Sequence, residues 1–154
     1  MGEALKKRVK QIKFSSRAQE ALINLLIAAG YMRARLDAVC EEFGITHGQY
    51  NVLRILRGAK INGYSRLQIS ERMIEKAPDV TRLVDRLEKQ GLVERSRSDE
   101  DKRESITRIT QKGLELLLQI DPRIKKVHEH FEFKVKLENC GRLTDLCERI
   151  YSEE

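Results

Sequence analysis

The stretch from Ser65 to Gly113 constrains the fold more than any other part of the chain, because its start and stop signals fall in a fixed order. Ser65-Arg-Leu-Gln68 has the spacing of a capping box, a Ser whose side chain faces the amide three residues on and a Gln that reaches back. Leu67, Ile69, Met73 and Ile74 are the candidate buried face of the short helix that follows. Pro78 and Gly91 then bracket a second helix, each where its backbone is favoured: Pro just inside the start, Gly just past the end. Between them Val80, Leu83, Val84 and Leu87 fall at i, i+3, i+4 and i+7, one apolar stripe. The opposite face displays Asp79, Thr81, Arg82, Asp85, Arg86 and Lys89. An arginine-bearing segment, 92–97, and a β-branched one, 105–109, read as strands joined by Ser98-Asp-Glu-Asp-Lys-Arg-Glu104, and Thr110-Gln-Lys-Gly113 opens a further helix. The order predicts a helix-turn-helix followed by a β-hairpin wing.

The flanking segments read as helical scaffold. Residues 1–14 form a basic, poorly specified arm, with Lys6, Lys7, Arg8, Lys10 and Lys13 against Glu3. From Ser15 and Ser16 a long helix runs to Gly44, with Ala18, Leu22, Leu25, Leu26, Leu36 and Phe43 on its stripe. Such a stripe is longer than a small core needs, so it predicts a helix shared with a subunit interface. Thr46-His-Gly-Gln49 is a second capping box, opening a helix with Tyr50, Leu53, Ile55 and Leu56 inward. After Thr110, Leu114, Leu117, Leu118 and Ile120 mark a helix that Asp121-Pro122 bends without ending. A last helix near 139–152 carries Leu143, Leu146 and Ile150. The organisation is thus an arm at 1–14, dimerisation helices at 15–45 and 112–154, and a winged helix-turn-helix at 46–111. The fold class is mainly α with a small β-hairpin.

Composition narrows the function without naming it. At 154 residues the chain has the size of one domain. A net charge of +6 favours a polyanionic partner only weakly, so pattern must carry that argument. No apolar run reaches transmembrane length and no signal peptide is readable, so a cytoplasmic protein is expected. Three cysteines without CxxC spacing argue against a disulfide framework or a zinc ribbon. Cys140 and Cys147 are separated by roughly 10 Å along one helix, beyond disulfide reach within it. Cys40, Cys140 and Cys147 are all expected to be buried and inert. His128 and His130, two apart, point to different helix faces rather than forming a chelating pair, and with His47 they predict no metal site. No phosphate-binding Gly-rich loop or nucleophile elbow is present, so an enzyme is excluded, and no cofactor is expected.

Three segments together resemble the MarR family of bacterial winged-helix transcription regulators, over nearly the whole chain. They are Gly44-Ile-Thr-x-x-Gln-Tyr-Asn-Val-Leu-Arg-Ile-Leu56, Asp79-Val-Thr-Arg-Leu-Val-Asp-Arg-Leu-Glu-Lys-x-Gly-Leu-Val-x-Arg95, and Asp101-Lys-Arg103 leading to Thr110-Gln-Lys-Gly113. The resemblance implies an obligate homodimer with interdigitated terminal helices, bound to double-stranded DNA at a pseudo-palindromic operator, with repression the expected sense of regulation. It also implies release by a small phenolic or other ligand in a cleft between the dimer and DNA-binding parts. Met32, Arg35 and Tyr50 are the candidate cleft residues. Met73-Ile-Glu-Lys-Ala-Pro78 departs from the family in lacking a Gly-containing turn, which leaves the start of the recognition helix open by a residue or two.

A recognition helix entering a major groove presents its first turns to base edges, here Asp79, Thr81 and Arg82, where an Arg fork grips guanine O6 and N7. Asp79 has a second reading, as an acidic residue favoured by the helix dipole. Arg86 and Lys89, further along, suit phosphates; the plain reading of this face is a solvated surface with Arg82–Asp85 and Arg86–Glu88 neighbours. The wing tip is mixed in charge, yet a narrow minor groove needs only one inserted Arg. By resemblance that residue is Arg103, with Lys102 beside it and Asp101 orienting the guanidinium. Two other functions compete with sequence-specific regulation: a winged helix that docks a protein, and non-specific architectural coating of DNA.

Overall fold

Five helices begin on side-chain caps, and these caps set the chain's punctuation. Ser16, Thr46, Ser65, Asp79 and Thr110 each accept a hydrogen bond from the backbone amide three residues on, satisfying donors that a helix start leaves open. At Thr46 and Ser65 the box is complete, with the Gln49 and Gln68 side chains accepting from the cap residue's own N–H at 2.8 and 2.9 Å. A computed structural model of the chain describes residues 2–10, 13–59, 61–75, 79–97 and 105–152. In order it contains α1 (Glu3–Val9), α2 (Arg17–Glu41), α3 (His47–Gly58), β1 (Tyr64–Ser65), α4 (Arg66–Arg72), α5 (Val80–Lys89), β2 (Val93–Arg97), β3 (Ser105–Ile109), α6 (Gln111–Val135) and α7 (Leu137–Tyr151).

The core is built around α3. Val52, Leu53 and Leu56 have no exposed surface, and they pack with Ile69 of α4, Leu87 of α5 and Leu117 of α6 in one cluster. Val80, Val84 and Leu87 turn the expected stripe of α5 inward, with Leu83 at its margin. Gly91, at φ 71°, ends that helix in the left-handed conformation that favours Gly, and the Leu92 amide returns to the Leu87 carbonyl. The chain then enters β2.

The sheet has three strands in the order β1-β3-β2, all antiparallel, with Val93 opposite Ile109 and Arg97 opposite Ser105. The two-residue strand β1 was not readable from pattern: Tyr64 and Ser65 pair with Thr107 and Ile106 immediately before α4 begins. Gly63 makes this pairing possible, since at φ 70° an added Cβ would lie 2.5 Å from the Thr107 carbonyl oxygen. Gly113 plays a similar part in the first turn of α6, where a Cβ would lie 2.3 Å from the Leu92 carbonyl oxygen.

Several expectations change. Residues 3–9 of the basic arm are helical, and Leu5 is buried. Leu67, Ile74 and Leu118 are exposed; α4 is only two turns long and buries Ile69 and Met73 instead. Pro78, expected to open α5, lies outside the described residues; α5 begins at Val80 with Asp79 as its cap. As expected, α6 does not end at Pro122. Of the cysteines only Cys40 is buried, its thiol pushed up to about 11 chiefly by burial; Cys140 and Cys147 are half-buried on α7. The apolar stripes of the long and last helices stay open: Leu22 and Leu26 of α2 are 56% and 64% exposed, and Leu146 and Ile150 of α7 are 50% and 69% exposed.

One polar knot joins α6 to α3 across this frame. Asp121 accepts from the Tyr50 hydroxyl at 3.0 Å and from the Arg57 guanidinium at 2.5 Å. Burial, followed by this hydrogen bond, pushes the Tyr50 phenol up to about 12. Because the folded value is raised, its contribution to stability is complete below the ordinary phenol value of about 10 and is lost as pH rises through that value toward 12. Asp121→Ala, which strands two donors, is expected to cost about 1.5–3 kcal/mol in urea unfolding. Tyr50→Phe should cost less, because Arg57 keeps its partner, and should remove part of the alkaline loss of stability.

Candidate nucleic-acid interface

The outer face of α5 is set by the burial of its inner one. Once Val80, Val84 and Leu87 point into the core, Thr81, Arg82, Arg86 and Lys89 are left exposed. Asp79 Oδ1 accepts from the Arg82 amide at 3.3 Å, so its second reading, as a helix-start residue, has a visible geometric basis. The other carboxylate oxygen lies 3.1 Å from Arg82 Nε, holding a side chain that is 80% exposed. Such a pair is weak in water and yields readily to a better anion.

The remaining acids of the helix do not neutralise Arg82 and Arg86, as the plain reading of this face supposed. Asp85 and Glu88, three apart on the side of α5 that faces the sheet, both pair with Arg95 of β2. Among the described residues Arg86 and Lys89 therefore have no acidic partner. This arrangement braces the helix against the wing strand and leaves its outer face cationic. The signal for Arg95 was present in the strand's period of two: Val93 is buried, so Arg95 lies on the same helix-facing side of β2.

Arg66 is a second residue that pattern reading passed over. It follows the Ser65 cap, and its guanidinium donates to Thr81 Oγ1 at 3.4 Å, joining the first turns of α4 and α5. A groove of about 370 Å³ lies beside it, lined by Arg66, Leu67, Thr81, Arg95, Ser105 and Thr107. Asp101, Lys102 and Arg103, the wing-tip residues singled out in the sequence, lie outside the described residues. The strands leading to that tip are described, and Arg97 at the end of β2 is exposed.

The candidate cleft residues are not brought together. Tyr50 is buried and engaged by Asp121, and Arg35 donates to the Tyr31 hydroxyl of its own helix at 3.3 Å. Met32 is half-buried on α2. A cleft of about 160 Å³ does separate α2 from α3 and the segment after α4, but its walls are Arg33, Asp37, His47, Asn51, Met73 and Glu75. Arg33 and Glu75 form an ion pair across it, and burial holds the His47 imidazole below its ordinary value. Among the described residues no group of three or more His, Cys, Asp or Glu side chains is placed to hold a metal ion. Nor is any helix there long and apolar enough to cross a membrane.

Known proteins share this architecture. Residues 45–105 match the model of the MarR family. The transcriptional repressor YetL of Bacillus subtilis is 30% identical over 136 residues, spanning 83% of this chain and 81% of that protein. The crystal structure of a MarR transcription factor from Planctomyces limnophilus aligns with a TM-score of 0.69 at 34% identity, over 88% of this chain and 98% of that one. At 19% identity, the Staphylococcus aureus MepR–DNA complex shares the fold, with a TM-score of 0.76 over 91% of this chain and 98% of that one.

The brace and the free cations should separate in stability measurements. Arg95→Ala leaves two carboxylates facing each other and should lower the urea midpoint, by the equivalent of about 1 kcal/mol for this partly exposed network. Arg86→Ala, which breaks no pair, should stay within about 0.5 kcal/mol of the parent.

Proposed function

The chain belongs to the MarR family of transcriptional regulators, and we propose that it acts as a repressor, a homodimer that reads a pseudo-palindromic DNA operator. The observation that carries this reading is the division of charge on α5. Its acids are used within the protein, on the helix start and on Arg95, while Thr81, Arg82, Arg86 and Lys89 face outward. Thr81 and Arg82 stand in the first turn, the part that meets base edges when a recognition helix enters a major groove. Arg86 and Lys89 take phosphates, and Arg66 joins them from α4. Lys102 and Arg103 at the wing tip take the minor groove, with Asp101 orienting the Arg. MepR, whose fold this chain shares, has been crystallised with DNA.

The homodimer follows from surface that one chain leaves uncovered. Leu22 and Leu26 on α2, and Leu146 and Ile150 on α7, are at half exposure or more, apolar surface that a partner chain would cover. Two-fold pairing through these helices places two copies of α5 on two half-sites of one operator. Light scattering at low micromolar concentration should return twice 17.9 kDa without DNA; a stable folded monomer would overturn this part.

Release by a ligand is the third element. The cleft lined by Arg33, His47 and Glu75 is smaller than the usual range of about 300–1,000 Å³ for ligand pockets. A phenolic carboxylate entering it has to displace Glu75 from Arg33, which couples its binding to the segment leading into α5. Such compounds should raise the melting temperature and weaken operator binding together.

A protein-docking winged helix is the competing function, and the polar outer face of α5 disfavours it. Replacement of the two arginines by Ala discriminates. Arg82→Ala should cost about 1–3 kcal/mol per half-site and relax preference at one base position. Arg103→Ala should lose affinity in a way that follows minor-groove width at A·T-rich flanks, not one base. Titrations at two salt concentrations separate these from phosphate contacts. Wild-type binding by both variants, to operator and random DNA alike, would transfer the reading to protein docking.

A further inference from the structure

The outer face of the wing is held by a residue to which the DNA contacts above assign no part. Arg108 lies on β3, and its Nε donates to the backbone carbonyl of Ile61 at 2.8 Å. The same guanidinium donates to Ser96 Oγ on β2. Ser96 is opposite Ile106 in the ladder, so the Arg reaches diagonally across the hairpin as well as out to the loop between α3 and β1. That loop lies directly on β3. Any Cβ at Gly63 would stand 2.7 Å from Arg108 Cγ and 2.8 Å from Ile106 Cγ2. One planar, rigid fork thus ties both strands of the wing to the loop between α3 and β1, a geometry that the point charge of Lys does not reproduce.

We propose that Arg108 is a positioning residue for DNA binding: it fixes the angle of the β2–β3 hairpin against the helix-turn-helix by bridging Ile61 and Ser96. The brace between Arg95, Asp85 and Glu88 works on the opposite face of the same sheet, since Arg95 is paired with Thr107 and points to α5 while Arg108 points to the loop. With both present the hairpin is restrained on two sides. With Arg108 removed, the hairpin keeps its inner brace, its short pairing to β1 and the buried anchors Val93 and Thr107, but loses the restraint on its outer face. The wing can then swing away from the groove while α5 stays where its buried stripe holds it.

This inference rests on the DNA-binding reading, and a trimmed duplex tells the two apart. The full-length protein is titrated against an operator with its A·T flanks and against the same operator cut back to the pairs beneath the two recognition helices. The wild type should lose affinity on the trimmed duplex; equal binding to both would remove the wing from DNA recognition and this inference with it. Arg108→Ala should bind the full operator about three- to tenfold more weakly, within the range of coupled neighbouring sites. It should bind the trimmed duplex as the wild type does. Arg108→Lys keeps the charge and loses the fork, so it should follow the Ala variant. A loss of the same size on both duplexes, or wild-type binding by Arg108→Lys, would overturn the proposal and assign Arg108 to general stability or to simple phosphate attraction. Amide hydrogen exchange gives a readout independent of DNA: protection at Ile106 and Thr107 should fall in Arg108→Ala while that of Leu53 and Leu56 is unchanged. Unaltered protection of the hairpin would also overturn it.

Discussion

Every functional element of this protein takes its position from the buried surface of α3. Val52, Leu53 and Leu56 are fully removed from solvent, and α5 and α6 each lay an apolar stripe against them, with Ile69 of α4 beside them. Burying one such side chain contributes about 1.5–3 kcal/mol, so the site's geometry is fixed by a term far larger than any single exposed ion pair. α5 presents Arg82 outward because Val80, Val84 and Leu87 have no alternative but to face inward. The wing inherits its position from the same source, through Arg108 on the loop that leaves α3 and through Arg95 on the back of α5. Asp121 extends the frame to the long helix α6 by holding Tyr50 and Arg57 of α3.

The distribution of charge on the surface follows from that frame. Residues 79–89 carry three acids against three bases, so by composition alone the segment offers a polyanionic partner no net attraction. Position reverses that expectation. A carboxylate at a helix start is satisfied by backbone amides, and a pair of carboxylates facing a strand is satisfied by an Arg from that strand. Neither contributes much field to the outer face. Net charge per segment is therefore a poor guide when the acids have internal partners and the bases do not.

Much of this was legible in the sequence, for identifiable reasons. Capping boxes at Thr46 and Ser65 are local chemistry, and both form. The stripe of α5 is long and strongly periodic, and it packs as its spacing predicts. What was illegible depends on contacts between distant segments. The strand β1 is two residues long and has no periodicity of its own; Thr107 and Ile106 define it. Leu67 and Ile74 looked like core because α4 is too short for a stripe to establish which of its apolar residues turn inward. Arg66 and Arg108 acquire their roles from partners 15 and 47 positions away, a separation at which single-sequence pattern carries no information. The groove between α2 and α3 illustrates the limit from the other side: Arg33 lines it, and which residue of α2 turns toward it changes with about 100° of rotation per position.

The contact at Gly113 has a mechanical consequence. The first turn of α6 sits so close to the Leu92 carbonyl that no side chain fits between them, which makes this point a fulcrum rather than a cushion. From there α6 extends 25 residues, roughly 37 Å at 1.5 Å per residue. A lever of that length magnifies small rotations: a tilt of roughly 5° at the fulcrum sweeps the far end through roughly 3 Å, about half a helical turn of rise. Movement applied at the far end is reduced by the same ratio at the near one. The packing of α7 is thus geared to the junction between α5 and β2, and a substitution in the terminal helix can shift that junction without touching a residue of α5.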